Sequence, residues 1–375
     1  MPERSHSRFQ SRRAVTNRAR SPEASTNQPT RDAAARSTQR QASIKDIARL
    51  ARVSHSTVSR ALSGSSQVSA GTTARIRKIA EQAGYRASAA ARSLVLGHSK
   101  TIGVVVTNIA DPFVAEVVSG IEDLAERHGY SVFLANSNAD AEREVRVVRS
   151  FEERRVDGII VTSSRVGALY VPVMERMHVP IVLLNNQHAS DFVHSVLIDN
   201  VAASRQATRH LIGLGHRRIA YLGDRFGHQS DAERYAGCRQ AIEEARIPLD
   251  RTLVVHGDGK AEGGEQAMAQ LLDLPTPPTA VFCYNDMTAL GALRLIRARG
   301  LRVPQDLSVV GFDDLYLSQY LEPPLTTVRQ PMRQMGRMAV ETLLHIFAGP
   351  HSTHNLRVEG QLIVRQSTAR PKESE

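Results

Sequence analysis

The chain has 375 residues, 41% of them apolar and 23% charged, the length of two to three globular units and a composition that excludes a wholly disordered protein. Its longest apolar stretches, such as Ile102 to Val106, fall far short of the roughly 18 residues of a membrane helix, and two cysteines, Cys238 and Cys283, make neither a disulfide framework nor a Cys/His metal spacing, as fits a reducing cytosol. The net charge of +10 sits in the first quarter: residues 1–42 carry nine arginines against three acids, residues 43–98 nine basic residues against two acids, and the remainder nets −3. A basic N-terminal quarter joined to a near-neutral bulk is the electrostatic layout of a nucleic-acid reader fused to something else.

Residues 1–42 are Arg, Ser, Ala, Gln and Thr with almost no aliphatic periodicity, and are expected to form a disordered basic tail. Such a tail either adds non-specific phosphate contacts or is simply solvated. No apolar run follows its charges, as a secretory signal would require. From Ser43 the texture changes. Ser43-Ile-Lys-Asp46 is a capping-box-like start, and Ile47, Ala48 and Ala51 follow at helical spacing. Ser54 is a good N-cap for a second helix, His55 to Leu62, which places Val58, Ala61 and Leu62 inward and His55, Ser56, Ser59 and Arg60 outward. Ser69 caps a third helix, closed by Gly84. Three helices in about 42 residues, two of them joined by a three-residue turn, predict a helix-turn-helix unit at 43–87.

Beyond residue 98 short β-branched runs alternate with helical patterns. Strands are expected at Ile102 to Val106, Val132 to Ala135, Gly158 to Thr162, Ile181 to Leu184, Ile219 to Leu222, Ala280 to Cys283 and Ser308 to Phe312, with helices such as Phe113 to His128, Ala202 to Leu214, Ala232 to Ala245 and Met287 to Arg299 between them. This βαβ alternation predicts an α/β core of doubly wound parallel sheets. Some 270 residues exceed one comfortable sheet, so residues 99–370 are expected to form two lobes with a cleft between them, followed by a short tail at 371–375. Ligands in such sheets bind beyond the carboxyl ends of the strands.

Enzyme motifs are missing from the pattern. Gly257-Asp-Gly259 has Glu262 where a dinucleotide fingerprint needs its third glycine. No Walker A loop, His-Glu-x-x-His or Gly-x-Ser-x-Gly elbow occurs, so neither catalysis, a metal nor a cofactor is expected. Asn136-Ser-Asn138, Asn185-Asn186, Asn285-Asp286 and Asp313-Asp314 each follow an apolar strand candidate. Amides with one or two carboxylates suit a polyhydroxylated ligand, although any one of them is equally well a turn or helix cap.

The run Ser43-Ile-Lys-Asp-Ile-Ala-Arg-Leu-Ala-Arg-Val-Ser-His-Ser-Thr-Val-Ser-Arg-Ala-Leu62, with Val68-Ser69 and Gly84-Tyr85, resembles the DNA-binding headpiece of the lactose-repressor (LacI) family of bacterial transcription regulators. The later segments Asp111-Pro-Phe113, Val156-Asp-Gly158, Leu214-Gly-His216, Tyr284-Asn-Asp286, Val310-Gly-Phe-Asp-Asp314 and Leu325-Thr-Thr-Val-Arg-Gln330 resemble the family's core, which is similar to periplasmic binding proteins. The similarity covers about residues 43–370. It implies that His55, Ser56 and Arg60 read bases in the major groove, while Thr57, Ser59, Ser69 and Thr72 contact phosphates. Arg60 could give guanine a bidentate pair worth about 1–3 kcal/mol of discrimination.

The same resemblance makes residues 88–98 a hinge helix and linker, with Leu94 as a minor-groove wedge. Ala87 and Ser88 stand where Pro and Asn are common in the family. In the cleft it implies Phe113 as an apolar wall, Asn185, Arg234, Asn285 and Asp313 as polar contacts, and Gln330 beside the hinge strands. Purine-responsive members carry an aromatic residue where Gly259 stands, which favours a sugar or sugar derivative over a base. No terminal heptads follow Arg365, so a homodimer is expected rather than a tetramer. The expected whole is a cytoplasmic, nucleoid-associated, ligand-controlled regulator of double-stranded operator DNA, a repressor, with no membrane partner. A sugar-binding module without regulatory DNA binding is the alternative.

Overall fold

The computed structural model describes residues 42–85, 97–162, 177, 179–185, 194–349 and 355–372. The basic tail up to residue 41 and the hinge segment containing Ser88 and Leu94 lie outside them. The chain divides into two compact units between Ala87 and Ser88.

Helices α1 (Ile44–Ala51), α2 (His55–Leu62) and α3 (Ala70–Gln82) build the first unit. The Ser43 hydroxyl accepts the Asp46 amide at 3.3 Å while the Asp46 carboxylate accepts the Ser43 amide at 3.0 Å, a reciprocal capping box. Arg52 takes the left-handed conformation (φ 53°) that stops α1, and Ser54 and Ser69 cap the next two helices through Thr57 and Thr72. Helices of eight residues do not hold alone in water. Their stability comes from a shared core in which Ile47, Val58, Ala61 and Ile76 are fully buried.

In the second unit the first lobe begins with β1 (Thr101–Val106), α4 (Pro112–Arg127), β2 (Ser131–Asn136), α5 (Ala141–Glu153), β3 (Gly158–Thr162), β4 (Ile181–Leu184) and β5 (His194–Ile198). The second lobe follows with α6 (Asn200–Gly213), β6 (Ile219–Asp224), α7 (Gln229–Glu244), β7 (Val254–Gly257), α8 (Ala261–Leu272), β8 (Ala280–Cys283), α9 (Asp286–Ala298), β9 (Ser308–Asp313) and β10 (Thr326–Arg329). The chain then returns to the first lobe as α10 (Met332–Ala348) and β11 (Asn355–Val358), and re-enters the second as β12 (Gln361–Ile363). The first sheet runs β11-β5-β4-β3-β1-β2 and the second β12-β10-β9-β8-β6-β7; every pairing is parallel except β10 with β12. The backbone therefore passes between the lobes three times, near Asp199, at Gln330 and Pro331, and at Glu359 and Gly360.

Central strands β1, β3, β4, β6, β8 and β9 are buried along their whole length, which is why they read as continuous apolar runs. Helices on the sheet faces meet with backbones in contact. A Cβ on Gly291 of α9 would lie 1.8 Å from the Ala261 carbonyl oxygen at the start of α8, and one on Gly120 of α4 would lie 2.1 Å from the Arg333 carbonyl oxygen of α10. No side chain fits at either crossing.

Candidate functional site: a recognition helix and an interlobe cleft

On α2, Val58 and Ala61 point into the core, which leaves His55, Ser56 and Arg60 exposed and Thr57 and Ser59 half-buried. The side chain of Ser54 bonds the hydroxyls of Ser56 at 2.7 Å and Thr57 at 2.8 Å, so the polar residues of the first turn form one network. Ser69 donates to the Thr72 hydroxyl at 2.9 Å across the first turn of α3, where unsatisfied amides and the helix dipole favour an anion such as a phosphate. Arg75 donates to the Ala51 carbonyl at 3.3 Å and ties α3 to the end of α1. The eight residues carried over from the family thus divide into seven on the described headpiece, grouped on α2 and the start of α3, and Leu94 outside the described residues.

In the second unit the candidate ligand residues gather at the carboxyl ends of strands. Asp313 closes β9 with φ 121°, a conformation non-glycine residues rarely hold, and its carboxyl is 5% exposed. Gln330 Nε2 donates to it at 2.5 Å, and the Arg234 guanidinium lies 4.0 Å away. Burial pushes the Asp313 carboxyl well above the usual carboxylate range, with Arg234 opposing and the carboxylates of Asp286 and Asp111 reinforcing. Asp111 caps α4 in the first lobe, accepting the Phe113 amide at 3.0 Å. Phe113 is half-buried against the main apolar core, and Asn185 follows β4 with φ 54°.

Arg234, on α7, is 4% exposed. Its Nε donates to Asn200 Oδ1 at 2.9 Å, one terminal nitrogen donates to the Tyr284 carbonyl at 2.6 Å, and the guanidinium stacks on Phe312 and Tyr284. Asn285 is placed differently from the others. Its Oδ1 accepts the Thr288 amide and hydroxyl at 2.8 and 2.7 Å, and its Nδ2 donates to the Gly259 carbonyl at 2.9 Å, so both ends of the amide are spent on the cap of α9. Asn136 likewise accepts the Asn138 amide of its own turn. The adjacent carboxylates part: Asp314 turns away to Arg329 and Arg365, at 2.7 and 2.6 Å.

Sequence reasoning passed over Asp224 and His228, took Asp286 only as one of several strand-end polar residues, and quoted Tyr284 only as part of a core motif. Asp224 ends β6 as Asp313 ends β9 and bonds His228 Nδ1; the His228 ring runs parallel to that of Tyr284, whose hydroxyl meets Ser230 at 2.9 Å. The position at a strand end was the available signal for Asp224; His228 lies in a loop with no periodicity. Asp286 is fully buried and accepts the Leu315 amide and the Ser318 and Thr327 hydroxyls, and burial raises its carboxyl to about 6 despite those donors. Cys238 and Cys283 are free and buried. Among the described residues no group of three or more His, Cys, Asp or Glu is placed to hold a metal ion, and no helix is long and apolar enough to cross a membrane. A separate groove of about 600 Å³, lined in part by Leu293, Arg297, Pro323 and Pro324, includes none of the cleft residues.

Residues 43–88 match the family described as bacterial regulatory proteins, lacI family, and residues 208–368 match the periplasmic binding protein-like domain. Over 329 residues the chain is 37% identical to the HTH-type transcriptional repressor CytR of Escherichia coli (strain K12), covering 87% of this chain and 96% of that one. It is 36% identical over 327 residues to the ribose operon repressor of Haemophilus influenzae, covering 87% and 98%. A solved structure of the lac repressor dimer bound to operator and the anti-inducer ONPF superposes with a TM-score of 0.80 at 30% identity, covering 88% of this chain and 99% of that one.

Proposed function

Because the chain belongs to the lacI family of bacterial regulatory proteins, and is as such a DNA-binding, ligand-responsive transcriptional repressor, we propose that it binds a pseudo-palindromic operator as a homodimer in the cytoplasm and changes affinity when a sugar or sugar derivative occupies the interlobe cleft. The observation that carries the ligand half is the buried array of Arg234, Asp313 and Gln330 in the second lobe, at and beside the strand ends. Phe113 and Asn185 supply the facing wall, while Asn285 holds the β8–α9 turn that carries Tyr284. The name of the ribose operon repressor among the relatives supports a sugar. The chain performs no catalysis in this reading.

On the DNA side, His55, Ser56 and Arg60 read base edges and Thr57, Ser59, Ser69 and Thr72 hold phosphates; the exposure of His55, Ser56, Arg60 and Ser69 and the partial exposure of Thr57, Ser59 and Thr72 support their reaching a partner. The basic residues before position 42 add charge-driven, sequence-independent affinity. Signal passes only if the ligand prefers one relative placement of the lobes, since differential affinity for two states is what shifts an equilibrium. A gel shift on the DNA upstream of its own gene, repeated with pentoses, hexoses and purines, tests the whole. Retarded DNA whose fraction changes with a sugar supports the proposal; failure to bind any DNA specifically leaves a sugar-binding module and overturns it.

A further inference from the structure

Where the chain enters the first lobe, one side chain grips it. Gly97 to Lys100 belong to neither a helix nor a strand, yet all four backbone polar groups of Ser99 and Lys100 are bonded. The Asp157 carboxylate accepts the Ser99 amide at 2.6 Å and the Ser99 hydroxyl at 2.9 Å through Oδ1, and the Lys100 amide at 3.0 Å through Oδ2. The Ser99 carbonyl accepts the Thr101 hydroxyl at 3.3 Å, and the Lys100 carbonyl accepts the Ser131 amide at 2.8 Å. Asp157 also donates its own amide, at 2.8 Å, to the carbonyl of Thr101, the first residue of β1. Loop backbone commonly leaves such groups to water. Here bonds to an ionised group, the stronger kind, fix two residues that lie outside the sheet.

Asp157 is itself held from behind. It stands on the turn between α5 and β3, after Arg155 in the left-handed conformation (φ 56°) and next to the buried Val156. A Cβ on the following residue, Gly158, would lie 2.8 Å from Leu343 and 3.0 Å from Phe347, so the turn rests directly on α10. The Phe347 ring stacks on Tyr130 at 5.7 Å, and the Tyr130 ring carries the Lys100 ammonium at 4.3 Å. Lys100 has φ 53°, which turns the chain out of the line of β1. Both the place and the direction of entry are therefore fixed by the first lobe.

We propose that Asp157 is a positioning residue for operator binding: its carboxylate fixes where residues 88–98 leave the first lobe, and so sets the separation of the two headpieces of a homodimer. The inference rests on the reading of the chain as a dimeric operator-binding regulator and adds to it a residue that touches neither DNA nor effector. Headpiece and core are separate compact units, so whatever one imposes on the other passes through this joint. With the carboxylate gone, Ser99 and Lys100 have to be ordered anew each time both half-sites are engaged; the clamp orders them in advance.

The test compares the full-length parent with Asp157→Asn, which keeps the side chain's shape but sets an NH2 group against one of the three donors, and with Ser99→Ala, which removes one bond of the three. The parent first selects paired half-sites from randomised DNA; these are then offered with the spacing changed by one base pair, and as single half-sites. Asp157→Asn should bind the selected pair about 10-fold more weakly, discriminate less between spacings, and bind a single half-site and sediment as the parent does. Ser99→Ala should show the same changes to a smaller degree. In hydrogen exchange the amides of residues 99 and 100 should lose protection in Asp157→Asn. Unchanged protection, or unchanged affinity and spacing preference, overturns the inference and leaves the regulator reading standing. A loss that accompanies dissociation of the dimer, or that is equal at single half-sites, assigns Asp157 to the stability of the lobe and overturns it as well. A parent that selects no paired half-sites overturns the dimeric operator reading and this inference together.

Discussion

The guanidinium of Arg234 lies 3.7 Å over the ring of Phe312. That stacking, with the bonds to Asn200 and the Tyr284 carbonyl, keeps a cation fully inside the second lobe beside the Asp313 carboxyl. Truncation would leave Asp313 and Asn200 facing an empty volume. Arg234→Ala should therefore cost about 3–5 kcal/mol of stability in urea melts and abolish the effector response. Arg234→Lys should recover charge but not the planar fork, restoring stability in part and response little. An alanine variant that melts and responds like the parent would remove Arg234 from the centre of the site.

On the headpiece, two polar residues should fail in different ways. Arg60→Ala should flatten base preference at one operator position, a loss of about 1–3 kcal/mol confined to that position. Thr72→Ala should weaken all sequences alike, because its hydroxyl sits with that of Ser69 at a helix N-terminus. Selection from randomised DNA separates the two; an unchanged base preference in Arg60→Ala sinks the assignment.

Asp286 sets a pH dependence with a definite sign. Its carboxyl is raised by burial from 3.8 to about 6 in the fold, so between pH 4 and 6 the native state binds more protons than the unfolded chain, and stability falls as pH rises through that window. The full effect is about 3 kcal/mol, complete above pH 6. Asp313, raised in the same direction, adds to it. Urea melts at pH 4 to 7 should show Asp286→Asn losing stability less steeply than the parent. Parallel curves would mean that Asp286 ionises freely in the fold.

Outside the described residues, Leu94 offers the sharpest test of coupling between DNA and ligand. Leu94→Ser removes the proposed apolar wedge and should lose the operator bend and much of the affinity, while calorimetric ligand binding is retained. Normal bending by this variant would show that the hinge works another way here, with Ala87 the first departure from the family pattern to consider.

The strands buried on both faces were legible because they are almost wholly apolar: Gly158 to Thr162, Ile181 to Leu184 and Ala280 to Cys283 are observed at the expected bounds. The strands His194–Ile198, Val254–Gly257, Thr326–Arg329, Asn355–Val358 and Gln361–Ile363 were not, since they are short, flank loops or the lobe crossings, and several carry Thr, Arg or His among few aliphatics. Helix caps were readable in Ser43, Ser54 and Ser69 because the hydroxyl acts on its own turn. The cleft was readable only as a set of strand ends. Whether Asn285 faces a ligand or caps its helix depends on Thr288 and Gly259, a partnership that no local spacing encodes.

The three passages of backbone between the lobes bear on how the protein is made. When a ribosome has delivered residues up to Arg329, the first sheet still lacks its outermost strand β11 and the helix α10 that packs on α4 and β4. The second still lacks β12. One continuous stretch, residues 332–363, supplies all three, so both lobes are finished late and nearly together rather than in the order of translation. A premature stop shortly before it yields not one good lobe and a stump but two open sheets with exposed edges, the substrate that proteases and chaperones are built to find.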